Sequence, residues 1–422
     1  MKKRILSLVI LSFMMTTFIF TGCTKKDDQK PVTSDNGDTE QTGEFKPEDG
    51  AKLKLWMDND DYNIRIIEAF NKKYPDIEVT VENVSTTDTR GKLELAGPTG
   101  EGADVFVAAH DGVAISAESG LILENIEFAD KVKEEFMDNA VEAASYNGKL
   151  YGFPLTIKTI ALFYNKALVD KPVETWDEMF EFAKKYNDPS KNKFALYWQA
   201  NEPYFAHMAL SVNGYEIFGE NHNDKTKLGW TSPEAIKGME FYKTLKDIFP
   251  VPAQDCTFDA MNNAFVEGVA PYVITGPWSI KSFTDAGVDF GVTALPKLNG
   301  KNPISLSTVD VACVSSFTKY PNASKILADF MASEEGLKIM YETKAELPAS
   351  KKMQEADFIK ADEHLSGVAK QAAYSLPMPF IPEMANVWDP YKKAFTAVWD
   401  GLLQPEEALK NAQEEFESSI AK

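Results

Sequence analysis

The sequence predicts an α/β fold arranged as two domains. Three observations carry this. Strand-like and helix-like periodicities alternate from residue 53 onward. The run Ala103–Ala109 is short and almost wholly apolar, as a strand covered on both faces must be. The stretch from Ala51 to Lys422 is longer than one typical domain.

The elements follow in chain order. Leu53–Met57 reads as a strand. Ile66, Ile67, Phe70 and Tyr74 recur at helical spacing, and Pro75 stops that helix. Ile77, Val79 and Val81 alternate with polar residues, a half-buried strand. With Ala103–Ala109, the order strand, helix, strand, helix, strand suggests a doubly wound sheet. Thr175-Trp176-Asp177-Glu178 is a capping box that opens a helix over Met179–Tyr186. Ser232-Pro233-Glu234 opens another, with proline at its first position. Tyr272–Thr275 and Phe290–Leu295 are strand candidates, and Val309–Val314 is an apolar strand-like run. From Gln404, Ala408, Leu409, Ala412, Phe416 and Ile420 form one apolar helix face.

The N-terminal residues read as an address. Met1-Lys2-Lys3-Arg4 is basic, and Ile5–Phe20 is an uncharged apolar run, short for a membrane span of about 20 residues but suited to a signal segment. It ends in Thr21-Gly22-Cys23, small residues before a cysteine, which reads as a bacterial lipoprotein cleavage site with Cys23 the lipidated residue. The expected signal peptide is 1–22. Residues 23–50 are the lipidated cysteine and a flexible tether, polar apart from Val32 and Phe45 and too poor in apolar surface to fold. Such a coil spans roughly 30 Å.

The formal net charge is −20, falling to −23 once Lys2, Lys3 and Arg4 leave with the signal. That argues against nucleic acid or an anionic lipid surface as a partner. The four histidines are scattered, and no His-x-x-x-His, Cys-x-x-Cys or Gly-x-Ser-x-Gly occurs, so neither a metal site nor a serine triad is expected. Asp58-Asn59-Asp60-Asp61 is not a calcium loop, because Tyr62 stands where a ligand would. Cys313 reads as a small core residue, and Cys256 falls in a polar loop.

A set of motifs in one order then resembles a known family. They are Leu55-Trp56-Met57 with Tyr62-Asn63, DVFVAAHD (104–111), YNGKLYGFPL (146–155) with FYNKALV (163–169), Thr175-Trp176, NEPYF (201–205), TGPW (275–278), IPEM (381–384) with Trp388, and PEEALKNAQ (405–413). The chain resembles the extracellular solute-binding proteins of ATP-driven sugar importers, and among them the maltose/maltodextrin-binding family. The resemblance implies a periplasmic-binding-protein-like fold: two α/β lobes, each discontinuous in sequence, joined by crossing hinge segments. It places lobe one at 51–156 and 312–357, lobe two at 161–306 and 364–422, and the hinges near 157–160, 307–311 and 358–363. It implies a non-enzymatic receptor without cofactor, a monomer, whose partners are an oligosaccharide, the membrane through the lipid on Cys23, and the permease subunits of an ABC importer.

A sugar ring offers apolar C–H faces and a polar rim, so its site needs aromatic planes and in-plane hydrogen-bonding groups. By resemblance the stacking residues are Tyr204, Trp278 and Trp388. The groups for hydroxyls are Asp111, Glu202 and either Asn59 or Asp60. The chain also departs from the family's pattern. Ala108 replaces a stacking Trp, Gly112 an Arg, Lys158 a binding Glu, Asp389 a Tyr and Lys392 an Arg. Lys158 therefore brings donors where an acceptor is the rule. These departures leave room for a different di- or oligosaccharide or a polyol. A glycoside hydrolase would need two carboxylates about 5 to 9.5 Å apart across one bond; the resemblance puts Glu202 and Asp111 on opposite lobes.

Overall fold

The computed structural model describes residues 45–58, 60–219, 223–379 and 381–421. The expected signal peptide, Cys23, the tether as far as residue 44, Asn59 and His222 lie outside the described residues, as does the side chain of Asp60.

Two sheets organise the chain. The larger runs Leu347–Pro348, Gly152–Thr159, Ser305–Val314, Val105–Ala109, Lys52–Trp56, Glu78–Glu82, with Ser375–Pro377 added alongside Ser305–Ser307. Lys52–Trp56 pairs in parallel with Glu78–Glu82 and with Val105–Ala109, and Ser375–Pro377 pairs in parallel with Ser305–Ser307. The ten-residue strand Ser305–Val314 runs antiparallel to both Val105–Ala109 and Gly152–Thr159. The doubly wound parallel sheet suggested by the alternation is thus a mixed sheet. The reason is topological: Gly152–Thr159 leads out to the second sheet, and Ser305–Val314 brings the chain back. The smaller sheet is Phe290–Thr293, Ala161–Asn165, Tyr272–Thr275, Leu196–Trp198.

Each sheet has its own apolar core. Leu55, Trp56, Phe70, Val105, Phe106, Phe153, Val311, Phe330 and Met340 belong to the first. Phe163, Trp176, Trp198, Trp230, Tyr272, Phe283, Phe395 and Phe416 belong to the second. Fully burying a Leu or Phe side chain stabilises by about 1.5–3 kcal/mol. Glu78–Glu82 is the edge strand, and its alternation of polar and half-buried residues matches one covered face.

Local signals set the helix ends. Thr175 Oγ1 accepts from the Glu178 N–H at 3.2 Å. The Glu178 carboxylate accepts from the Glu174 N–H at 2.7 Å, one residue before the cap. Ser232 accepts from the Ala235 N–H at 3.1 Å, with Pro233 following. The last helix, Pro405–Ile420, buries Ala408, Leu409, Ala412 and Phe416. Cys313 is buried in the first core and Cys256 in the second; both are free thiols.

The first described residues depart from expectation: composition puts 45–50 in the tether, but Phe45 and Glu48 are docked on the body. The Phe45 ring meets Phe128 edge-on at 5.4 Å. The Glu48 carboxylate accepts from the Asn322 and Ala323 N–H groups, each at 2.9 Å, at the start of helix Pro321–Met331. A carboxylate there satisfies two donors the helix leaves unpaired and sits at the positive end of its dipole. Among the described residues, no helix is long and apolar enough to cross a membrane.

Candidate functional site

Most of the candidate residues sit near the start or end of a regular element. Strand Val105–Ala109 gives way to the turn His110–Gly112, which presents Asp111 beyond the strand's carboxyl end. Glu202 is the N-cap residue of helix Pro203–Ser211, but its side chain makes no capping bond and is left for other work. Tyr204 lies in the first turn of that helix. Strand Tyr272–Thr275 ends in Gly276 and the turn Pro277–Ser279, closed by Thr275 and Ser279 hydroxyls 2.8 Å apart. That turn carries Trp278. A Cβ at residue 276 would lie 2.2 Å from the Trp278 ring, so only glycine lets the ring fold back there. Trp388 is the first residue of helix Trp388–Trp399, and Lys392 is one turn further on.

These groups meet. Trp388 Nε1–H donates to Asp111 Oδ2 at 2.9 Å. Lys392 forms an ion pair with Glu202, both side chains partly exposed. Trp388 and Lys392, four residues apart, share one helix face and so tie two carboxylates from different elements into one array. The Tyr204 hydroxyl donates to the Lys158 carbonyl at 3.3 Å, and burial raises its pKa well above the usual tyrosine value. Phe205 bridges Tyr204 and Trp278: its ring is edge-on to Tyr204 at 5.9 Å and to Trp278 at 6.2 Å. Tyr204, Trp278 and Trp388 are all half-buried, so their rings are supported from behind while part of each stays accessible.

Lys158 has a different setting from a free donor. Its side chain is 11% exposed, and its ammonium lies 2.6 Å from Asp310 Oδ2 and 3.8 Å from Glu346 Oε1. Burial works against the charge, but Asp310 and Glu346 together outweigh it and hold the pKa above the ordinary lysine value. Lys344 extends the array, 3.6 Å from Glu346 and 2.9 Å from Asp58, two residues before helix Asp60–Lys73. Sequence reasoning missed Asp310, Glu346 and Lys344. For Asp310 a signal existed: a lone aspartate inside Val309–Val314 is a buried charge, and a buried charge needs a partner.

His110 is buried and neutral. The Val309 N–H donates to its Nδ1 at 3.0 Å, so Nε2 carries the proton and donates to the Met378 carbonyl at 3.1 Å. Burial pulls its pKa below the usual histidine value, against the raising effect of the Asp111 carboxylate. His207 is buried on the same helix as Tyr204 and packs against Tyr215 at 5.6 Å. Ala108, where the family pattern has a stacking tryptophan, is buried. Trp56, Trp176, Trp198, Trp230 and Trp399 all lie in the cores, away from this array. Among the described residues, no group of three or more His, Cys, Asp or Glu is placed to hold a metal ion.

Flat rings, two carboxylates and an ammonium brought together in this way have the chemistry to hold a small polar solute. The chain belongs to the bacterial extracellular solute-binding protein family, whose pattern matches residues 65–367. It is 32% identical over 385 residues to the galactooligosaccharide-binding protein of Bacillus subtilis (strain 168), covering 88% of this chain and 90% of that one. It is 27% identical over 413 residues to a maltooligosaccharide ABC transporter solute-binding lipoprotein of Streptococcus pneumoniae (strain ATCC BAA-255 / R6), covering 96% and 94%. A cyclo/maltodextrin-binding protein solved with maltotetraose superposes with a TM-score of 0.74 at 34% identity, covering 87% of this chain and 97% of the other. The fold is therefore the two-lobed periplasmic-binding-protein type, with discontinuous lobes joined by crossing segments.

Proposed function

We propose that this chain is a lipid-anchored receptor that captures a maltooligosaccharide between its lobes and delivers it, chemically unchanged, to the permease subunits of an ABC importer. One observation carries the reading: Trp388 and Lys392 on one helix face meet Asp111 and Glu202 from two other elements, near the Tyr204 and Trp278 rings that pack on Phe205. Rings together with carboxylates and an ammonium suit the C–H faces and hydroxyl rims of a glucan. The maltooligosaccharide and maltodextrin relatives support the same ligand class. The lipoprotein relative supports acylation of Cys23 and a station at the outer face of the membrane. Asp111, Glu202, Lys392, Tyr204, Trp278 and Trp388 are the proposed contacts, with Asn59 or Asp60 and Lys158 completing them. The proposed receptor works as a monomer, with lobe one at 51–156 and 312–357 and lobe two at 161–306 and 364–422.

The test is titration calorimetry of the purified protein with maltose, maltotriose and longer maltodextrins, beside a galactooligosaccharide. Heat from the glucans alone supports the proposal. Heat from the galactooligosaccharide alone moves the assignment to the ligand named for the Bacillus relative. Intact-mass measurement of the membrane-extracted protein, with Cys23→Ser as control, tests the anchor. Size-exclusion with light scattering tests the monomer.

A further inference from the structure

Lys158 brings a cation to a site that should bind a neutral ligand, and the structure shows how that cation is offset. Strands Gly152–Thr159 and Ser305–Val314 pair with Lys158 opposite Thr308 and Thr156 opposite Asp310. Side chains two apart share a sheet face, so Lys158 and Asp310 are diagonal neighbours on one face. Around them, Thr156 Oγ1 donates to Glu346 Oε2 at 3.2 Å, and Lys344 joins Glu346 to Asp58. Asp310 and Glu346 are fully buried, while Asp58 keeps about a third of its side chain exposed. This cluster of Asp58, Asp310, Glu346, Lys158 and Lys344 has three negative and two positive charges. With Asp111, Glu202 and Lys392 these eight side chains sum to −2, so the Lys158 ammonium does not make the group cationic.

The Lys158 carbonyl receives the hydroxyl of Tyr204, a proposed stacking residue. Take Asp310 away, and the ammonium keeps only Glu346, 3.8 Å off and beyond hydrogen-bond reach.

The geometry points to Asp310 as the positioning residue that sets the charge selectivity of the site. It aims the Lys158 ammonium as a donor to a neutral sugar oxygen, and it cancels the charge that would otherwise admit a carboxylated sugar. The inference rests on the sugar-binding reading above.

The test compares a maltooligosaccharide with its C6-carboxylated counterpart of equal length, by calorimetry on wild type and Asp310→Asn. Wild type should prefer the neutral sugar. In Asp310→Asn that preference should shrink by about tenfold or more, with neutral-sugar affinity falling and carboxylated-sugar affinity holding or rising. A purely structural role would weaken both ligands by the same factor; an unchanged ratio overturns the inference.

Should Asp310→Asn fail to fold, the double variant Lys158→Gln/Asp310→Asn decides. It removes one charge of each sign, so the preference for the neutral sugar should stay while affinity for it drops by about tenfold. Wild-type affinity in the double variant overturns the donor role. A wild type that takes no neutral glucan overturns the maltooligosaccharide reading along with this one, whereas a binding wild type with an unchanged ratio overturns this one alone.

Discussion

The indole N–H of Trp388 and the carboxylate of Asp111, 277 residues apart in the chain, are bonded to each other at 2.9 Å. A sugar can stack on the face of the first and donate to the second without breaking that bond, because the N–H lies in the ring plane and a carboxylate has several acceptor sites. Asp111→Asn keeps the shape but loses the charge. It should weaken maltooligosaccharide binding by about tenfold or more in calorimetry, with little change in melting temperature.

The Glu202–Lys392 pair is partly exposed and should contribute under about 1 kcal/mol to folding. Glu202→Ala should therefore leave thermal stability nearly intact while lowering sugar affinity by more than roughly tenfold. Tyr204→Ala should do the same, whereas Tyr204→Phe, which keeps the ring and loses the bond to the Lys158 carbonyl, should cost only about 0.5–1.5 kcal/mol of binding. If both alanine variants bind like wild type, this helix start is packing and nothing more.

Gly276→Ala tests how the Trp278 ring is placed. The new methyl would occupy the space of the ring. Affinity should fall by about tenfold, as in Trp278→Ala, because the ring must leave its position against Phe205. Near-ultraviolet circular dichroism should report the displaced indole, while the far-ultraviolet spectrum should not move.

His110 makes stability depend on pH. Its folded-state pKa is depressed by burial, so its contribution is fully present well above the unfolded value of about 6.5 and is lost as pH falls from there toward the folded pKa. Protonation would force a proton onto Nδ1, which now accepts from Val309. Melting temperature should drop between pH 7.5 and 5, and the drop should be smaller in His110→Gln. Equal slopes in the two proteins would remove His110 from the account.

Lys158→Ala leaves the Asp310 carboxylate buried with no cation in hydrogen-bond reach. Breaking such a pair costs about 3–5 kcal/mol. Urea unfolding should show a loss of that order, and Lys158→Ala/Asp310→Ala should recover much of it.

Local chemistry made much of the fold legible. The caps at Thr175 and Ser232, the strand Tyr272–Thr275 and the buried face of Pro405–Ile420 sit where short-range signals put them. The antiparallel return of Ser305–Val314 was not legible, because strand direction depends on where the chain has been in the intervening residues. Phe45 and Glu48 are hidden by the polar composition around them; their docking depends on Phe128 and on a helix start 275 residues beyond Glu48. The site residues entered through motif resemblance rather than periodicity. Lys158 was placed near the ligand, but its partner Asp310 is 152 residues away, and no local pattern joins them.

Asp111 and Trp278 stand in short turns, Glu202 caps a helix and Trp388 begins one, and none of the four is among the fully buried residues of either core. A lineage can therefore exchange one of them without reopening the interior that keeps the molecule folded. Diet can drift quickly in such a design while architecture is inherited almost unchanged. A galactooligosaccharide receptor and a maltodextrin receptor built on the same frame are what that separation leaves behind.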